Sequence, residues 1–256
     1  MNKILAIFAL LVIPAAAVFA EEQIKDENRS FYTGNVYYEK KDYAKALENY
    51  RAALDMGLES GSLYYNMGNA YLKMGKTGYA VLFYEKAMRL IPQDGDLKSN
   101  MVYAKAFGSG DSLPQPSGFA AVIDFIKSPF KDLNLNAVAI IALGVYLAVI
   151  VIGILFLLTP FLVKRLKAPL ILLAIILVWI GIVFGVRYYE EEVLKKGVCV
   201  VKSADAKYEP IESSTVYYKI SEGAEVTVLS TRDGWRHIRR SDGKSAWVKE
   251  DTVEEI

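Results

Sequence analysis

The chain holds one cysteine, Cys199, and one histidine, His237. A single thiol cannot close an intramolecular disulfide, and neither residue can belong to a cysteine cluster or a multi-histidine metal site. Cys199 lies in the apolar run Val198-Cys199-Val200-Val201, which predicts a buried strand thiol rather than a reactive one. Glu190, Glu191 and Glu192 occupy consecutive positions, so on a helix their carboxylates fan apart and do not converge on one ion. No nucleophile–base pair, phosphate-binding glycine loop or carboxylate pair stands out. No catalytic residue, cofactor or metal ligand is therefore assigned, and an enzyme is the least expected class. The side chains left are those of a binding protein. Trp235 and Trp247 either form a ligand groove or fill a core, with a core role expected for at least one. His237, Arg239 and Arg240 are expected on a solvated strand and turn.

Segments of different character position these residues. The N-terminus has Lys3, an apolar stretch from Ile4 to Ile13, Pro14, and small residues leading to Val18-Phe19-Ala20 before Glu21 and Glu22. Residues 1–20 read as a signal peptide cleaved after Ala20, and the boundary has no cysteine for lipoprotein processing. The alternative, an uncleaved anchor helix, leaves the following domain on the same side. The net charge of +1 gives no whole-chain case for nucleic acid or anionic lipid as the main partner.

Residues 27–107 repeat at a spacing of 34: Gly34 with Gly68, Tyr37 with Tyr71, Ala46 with Ala80, Tyr50 with Tyr84, Ala53 with Ala87. Such an offset predicts a helix pair made twice. The glycine permits close helix approach, the tyrosine fills the gap beside it, and the alanines let neighbouring helices pack. The expected helices are 28–40, 43–56, 62–74 and 77–90. A last helix, capped by Asp96 and running to about Phe107, would cover the open edge. The pattern Gly-x-x-Tyr, then Ala-x-x-x-Tyr-x-x-Ala, resembles the tetratricopeptide repeat (TPR) family. The resemblance implies binding of protein segments along a concave face lined by the first helix of each pair. Here that face holds Asn35, Tyr38, Asn66, Asn69 and Lys73. Some TPR proteins clamp a carboxylate with asparagines and cations. Asn35 and Asn66 match the asparagine positions, but Phe31, Asp96 and Asn100 stand where cations would be, so no carboxylate clamp is expected. The tyrosines are expected to pack between helices. Two repeats and a cap fall short of the three that usually make a stable stack. Stabilisation by a partner, by self-association or by docking near the membrane is therefore expected.

Residues 108–134 begin with a Gly/Ser/Pro-rich linker and continue as Phe119–Leu133, which mixes Phe, Val and Ile with Lys127 and Lys131. That stretch is either an interfacial helix or a short soluble one. Residues 135–163 and 169–186 carry no charge and are long enough to span a hydrocarbon core. Lys164, Arg165 and Lys167 between them mark a cytoplasmic loop. With the signal peptide, this places both flanking modules on the outer side. Spans without ionisable residues point to anchoring rather than transport. Gly181-Ile182-Val183-Phe184-Gly185 is a close-packing step, expected to meet the first span, with a dimer interface as the alternative.

From residue 197 to 256, β-type runs alternate with turn signals. The expected strands are 198–202, 216–220, 224–230, 235–239 and 246–249, with turns at Asp233-Gly234 and Asp242-Gly243. Gly223 before an alternating strand, Gly234-Trp235, and Gly243-x-x-x-Trp247-Val248 resemble bacterial SH3-like domains, which implies a small barrel. Ala246 stands where that family most often has glycine, and its usual arginine-containing stretch is not recognisable near Tyr208–Ser214.

The expected fold class is thus multidomain: an all-α TPR repeat, a transmembrane helical hairpin and a C-terminal all-β SH3-like barrel. Signal peptide, two TPR units, membrane hairpin and SH3-like tail, in this order, resemble the BatE family of bacterial aerotolerance proteins. The resemblance implies a two-pass cytoplasmic-membrane protein with both modules in the periplasm. It implies partnership with membrane-anchored von Willebrand A-type Bat proteins and, indirectly, a MoxR-type AAA+ ATPase, in oxidative-stress tolerance and envelope integrity. Two function classes stay open. One is a non-catalytic scaffold binding protein segments; the other is an anchor whose SH3-like tail contacts peptidoglycan. Sedimentation of residues 197–256 with cell wall would separate them.

Overall fold

A computed structural model describes residues 28–108, 118–158 and 163–256. The expected signal peptide and most of the Gly/Ser/Pro linker lie outside the described residues, as does the chain between the two long apolar helices.

Five helices come first: α1 over 28–39, α2 Tyr43–Asp55, α3 Gly61–Lys73, α4 Thr77–Leu90 and α5 Gly95–Gly108. Their ends follow from local chemistry. Asp42 and Ser60 cap α2 and α3 by accepting from Lys45 N (3.2 Å) and Leu63 N (3.1 Å). Asp94, not the expected Asp96, caps α5 by accepting from Leu97 N at 2.8 Å. Gly57 and Gly75, at φ 103° and 70°, take the left-handed conformation that ends a helix. The repeat spacing reports one contact made twice. A Cβ on Gly34 would stand 2.4 Å from the Tyr50 ring, and one on Gly68 2.5 Å from the Tyr84 ring. Ala46, Ala53, Ala80 and Ala87 are fully buried in the same core, where any larger side chain would force the helices apart.

Next come α6 (Phe119–Lys127), a 3₁₀ turn (Ser128–Phe130), α7 (Leu135–Leu158), α8 (Val163–Tyr188) and a π turn (Tyr189–Val193). Within them, Leu135–Leu155 and Lys167–Val193 are long and apolar enough to cross a membrane. Because α8 begins at Val163, Lys164–Lys167 form its first turn and not the loop expected from sequence. The two helices meet through Val138, Ile180 and Val183, with Phe130 added from the 3₁₀ turn. A Cβ at Gly181 or Gly185 would meet nothing within 4 Å. The Gly-x-x-x-Gly step therefore does not form the expected contact with the first span: the hairpin packs on the neighbouring Ile180 and Val183.

The C-terminal module is a seven-stranded antiparallel sheet: β1 Lys196–Cys199, β2 Ser203–Lys207, β3 Val216–Ser221, β4 Glu225–Arg232, β5 Trp235–Arg239, β6 Ser245–Lys249 and β7 Val253–Glu255. Its strand order is β3-β2-β6-β5-β4-β1-β7. Asp233 and Gly234, both at positive φ, make the tight turn between β4 and β5. The core is Cys199, Ala206, Ile220, Val226, Val228, Ile238, Ala246, Val248 and Val253.

Candidate functional site

Asparagines on three successive first helices form a repeated hydrogen-bonded unit. Asn35 Oδ1 on α1 accepts from Tyr50 Oη (2.8 Å) and from Asn66 Nδ2 (2.9 Å) on α3. Asn69 Oδ1, also on α3, accepts from Tyr84 Oη (2.7 Å) and from Asn100 Nδ2 (3.0 Å) on α5. Asn100 Nδ2 also donates to Tyr65 Oη at 2.9 Å. Burial pushes the Tyr50 and Tyr84 phenols far above the ordinary tyrosine value, so both stay donors across the physiological range. Among the described residues no partner faces the Nδ2 groups of Asn35 and Asn69. Both side chains are half-buried, with their Oδ1 atoms engaged in the hydrogen bonds above.

Of the other residues expected on this face, Tyr38 is half-buried and edge-on to Tyr43 at 5.3 Å between ring centres. Lys73 is exposed in the last turn of α3. Sequence reasoning missed Asn100 as the fourth member of the ladder. The signal was present, since Asn66 and Asn100 are separated by the same spacing as Asn35 and Asn69.

In the sheet module, the register pairs Trp235 with Lys249 and His237 with Trp247. Both tryptophans thus share the face of β5–β6 opposite to Ile238, Ala246 and Val248, which enter the core. Trp235 is nevertheless buried, with the Lys207 ammonium 5.5 Å over its ring. Trp247 is half-buried and stacks on His237 at 4.7 Å, 12° between planes. Burial, helped by Arg239, holds His237 below the ordinary histidine value. Arg239 is exposed, while Arg240 lies 5.1 Å from the Tyr218 ring and pairs with Asp242 at 3.3 Å. Cys199 is fully buried, its thiol pushed up to about 11 by burial, which leaves little thiolate at neutral pH.

The helical repeats and the sheet touch. Gly78 N at the start of α4 donates to Glu222 Oε1 at 2.8 Å, while Val198 of β1 is buried in the helical core and Ile256 packs against it. Lys105 of α5 pairs with Glu85 of α4 at 2.9 Å and with Glu225 of β4. Burial and the nearby Glu225 raise Glu85 above the usual carboxylate range, Lys105 notwithstanding. Burial also opposes ionisation of Glu225, but the Lys105 charge outweighs it and holds that carboxyl low. The helical repeats are thus contacted by the chain's own sheet at α4 and α5.

Two family models match here, a TPR repeat over residues 34–75 and a tetratricopeptide repeat over residues 61–94. Among solved structures, the chain is similar to YrrB, described as a TPR protein with an unusual peptide-binding site. Identity is 26% and the TM-score 0.31, over 32% of this chain and 42% of that one. It is also similar to NlpC2 and NlpC1 from Trichomonas vaginalis, each at 19% identity and TM-score 0.23, over 25% of this chain and 25% and 24% of theirs. The chain therefore spans less than half the length of each. No curated protein matches it. The chain carries tetratricopeptide repeats, joined to two long apolar helices and a seven-stranded antiparallel sheet.

Proposed function

We propose that this chain is a non-catalytic, membrane-anchored adaptor. Its TPR face takes an extended protein segment, and α7 and α8 hold that face at a bacterial cytoplasmic membrane. The sheet module is read as an SH3-like barrel on the same, periplasmic side. The observation that carries this reading is where the sheet docks: on α4 and α5, through Gly78, Lys105 and Val198. The asparagine ladder on the first helices keeps its Nδ2 donors for a ligand. In this reading the docked sheet supports the repeats from α4 and α5, so that a ligand meets an already ordered face. Neutral amide donors at ladder spacing suit main-chain carbonyls, and the single exposed Lys73 adds one charge at the end of the face. By resemblance, the partners are membrane-anchored von Willebrand A-type Bat proteins, with a MoxR-type AAA+ ATPase acting through them. Confinement to one plane raises the effective concentration of adaptor and partner. Affinity purification from crosslinked native membranes tests this reading. The full chain recovers A-type proteins, and a Tyr38→Ala/Lys73→Glu variant loses them; equal recovery from both would contradict the TPR face as the site.

A second reading rests on the sheet module's aromatic surface. Tyr208 and Tyr217 stack at 4.5 Å, with Tyr208 exposed, and Trp247 lies against His237 on a solvent-facing strand pair. Exposed ring faces suit the apolar faces of sugars or peptides, so peptidoglycan is the alternative ligand. Sedimentation of the full chain with purified cell wall, lost on Trp247→Ala, would favour this reading.

A further inference from the structure

The adaptor reading leaves α6 without a role. Its apolar positions Phe125, Val122, Ile126 and Ile123 form a wide arc, with Asp124 on the opposite side and Lys127 beside its Ile123 edge. Only part of that arc is covered. Ile126 packs with Leu133 against the cluster of Phe130, Val138, Ile180 and Val183, whereas Val122 and Phe125 are 52% and 78% exposed.

The height of α6 on the hairpin is fixed by two polar ties. Lys127 Nζ pairs with Glu190 just beyond α8 at 2.9 Å. Arg187, near the end of α8, donates to the carbonyls of Phe130 (3.2 Å) and Leu133 (2.5 Å), while Glu191 holds its guanidinium at 2.8 Å. About one and a half and two and a half turns from Arg187 along α8, the apolar surface is open: Ile182 is 50% exposed and Val178 64%. The end of α6 is thus held, through Ile126 and Lys127, at the level of the hairpin where charged groups begin, while Val122 and Phe125 stay exposed.

We propose that α6 is an in-plane helix at the lipid headgroup boundary, with Val122 and Phe125 entering the acyl region and Asp124, Lys127 and Glu190 in the headgroup layer. This rests on the reading of α7 and α8 as membrane spans. Through Lys98–Asp132 (2.5 Å) and Asn134 Nδ2 to Leu90 O (3.3 Å), the segment after α6 is tied to the TPR unit. The lipid contact thus sets the tilt of the asparagine face over the membrane.

Spin labels on the full chain test this. On a Cys199→Ala background, single variants Val122→Cys, Phe125→Cys, Asp124→Cys and Val151→Cys are placed in phosphatidylethanolamine–phosphatidylglycerol vesicles. Each is probed with oxygen, which concentrates in lipid, and with a water-soluble nickel chelate. The oxygen-to-nickel collision ratio at 122 and 125 is expected to match that at 151 in the span and to exceed that at 124 several-fold. Nickel access at 122 and 125 with a lipid signal at 151 would overturn the proposal while leaving the spans in place. Shielding of 125 from both reagents would mean that protein covers α6, and would also overturn it. Nickel access at 151 would remove the membrane reading itself, and this proposal with it.

Discussion

Gly78 and Cys199 approach so closely that a Cβ on the glycine would stand 2.4 Å from the cysteine's carbonyl oxygen and 2.7 Å from the Val200 Cα. Those atoms are backbone and cannot swing aside. Gly78→Ala is therefore expected to prise the sheet from the helical repeats. The overpacking should cost about 1–3 kcal/mol, and the helical and sheet signals, expected to melt together in the wild type, should melt separately. Circular dichroism followed in the far ultraviolet and in the aromatic region checks this; a single unshifted transition would contradict it.

Glu222 performs a capping role that α4 lacks from its own sequence. Lys76 stands at the N-cap without a side-chain bond, and Glu222 reaches from the turn before β4 to accept from Gly78 N. A carboxylate at a helix N-terminus is favoured by both the free N–H groups and the helix dipole. Glu222→Ala is expected to cost about 1 kcal/mol, and Glu222→Gln less, since it keeps the acceptor. Denaturant unfolding of the full chain in detergent measures the difference.

The Glu85–Lys105–Glu225 contact gives the docking a pH signature. Glu85 is raised by burial and by Glu225. As pH falls from neutral through that raised value, the folded contact takes up a proton before the unfolded chain does, and stability rises. Glu225 is held low in the fold by Lys105, against the effect of burial. Its contribution is present above the ordinary glutamate value and is lost as pH falls through the depressed one. Melting temperature should therefore pass through a maximum in mild acid. Glu85→Gln should flatten the neutral side of that maximum and Glu225→Gln the acid side, read as differences from the wild type.

The asparagine ladder mixes support with display. Asn69→Ala would leave the fully buried Tyr84 without its acceptor at 2.7 Å, an orphaned donor that costs about 1–3 kcal/mol. Asn35→Ala does the same to Tyr50. Lys73 is exposed, so Lys73→Ala should leave the melting temperature unchanged. Thermal unfolding of the three variants side by side checks that order.

The helical part was legible because its repeated residues are packing partners: Gly34 and Tyr50, like Gly68 and Tyr84, must change together or not at all. Strands β3 to β6 were legible from alternation and from the Asp-Gly turns. β2 was not, since Ser203-Ala204-Asp205-Ala206-Lys207 buries only Ala206 fully and carries no apolar rhythm. β7 was too short to register beside Thr252. The two tryptophans could not be assigned a face from sequence, because that depends on the β5–β6 register. The docking of sheet on helices was invisible for the same kind of reason. Gly78 reads as an ordinary residue in a first turn and Glu222 as a turn residue, and only their meeting across 144 positions gives either a role.

The central claim, an adaptor whose asparagine face holds a protein segment, is tested most directly by photocrosslinking in native membranes. A photoreactive residue is placed at Lys73 or Tyr38 on the face and, as a control, at the exposed Ala44 on α2. Adducts to a common partner protein, identified by mass spectrometry, are expected from positions 73 and 38 and none from position 44. Adducts to that partner from position 44 alone, or to cell-wall fragments alone, would contradict it.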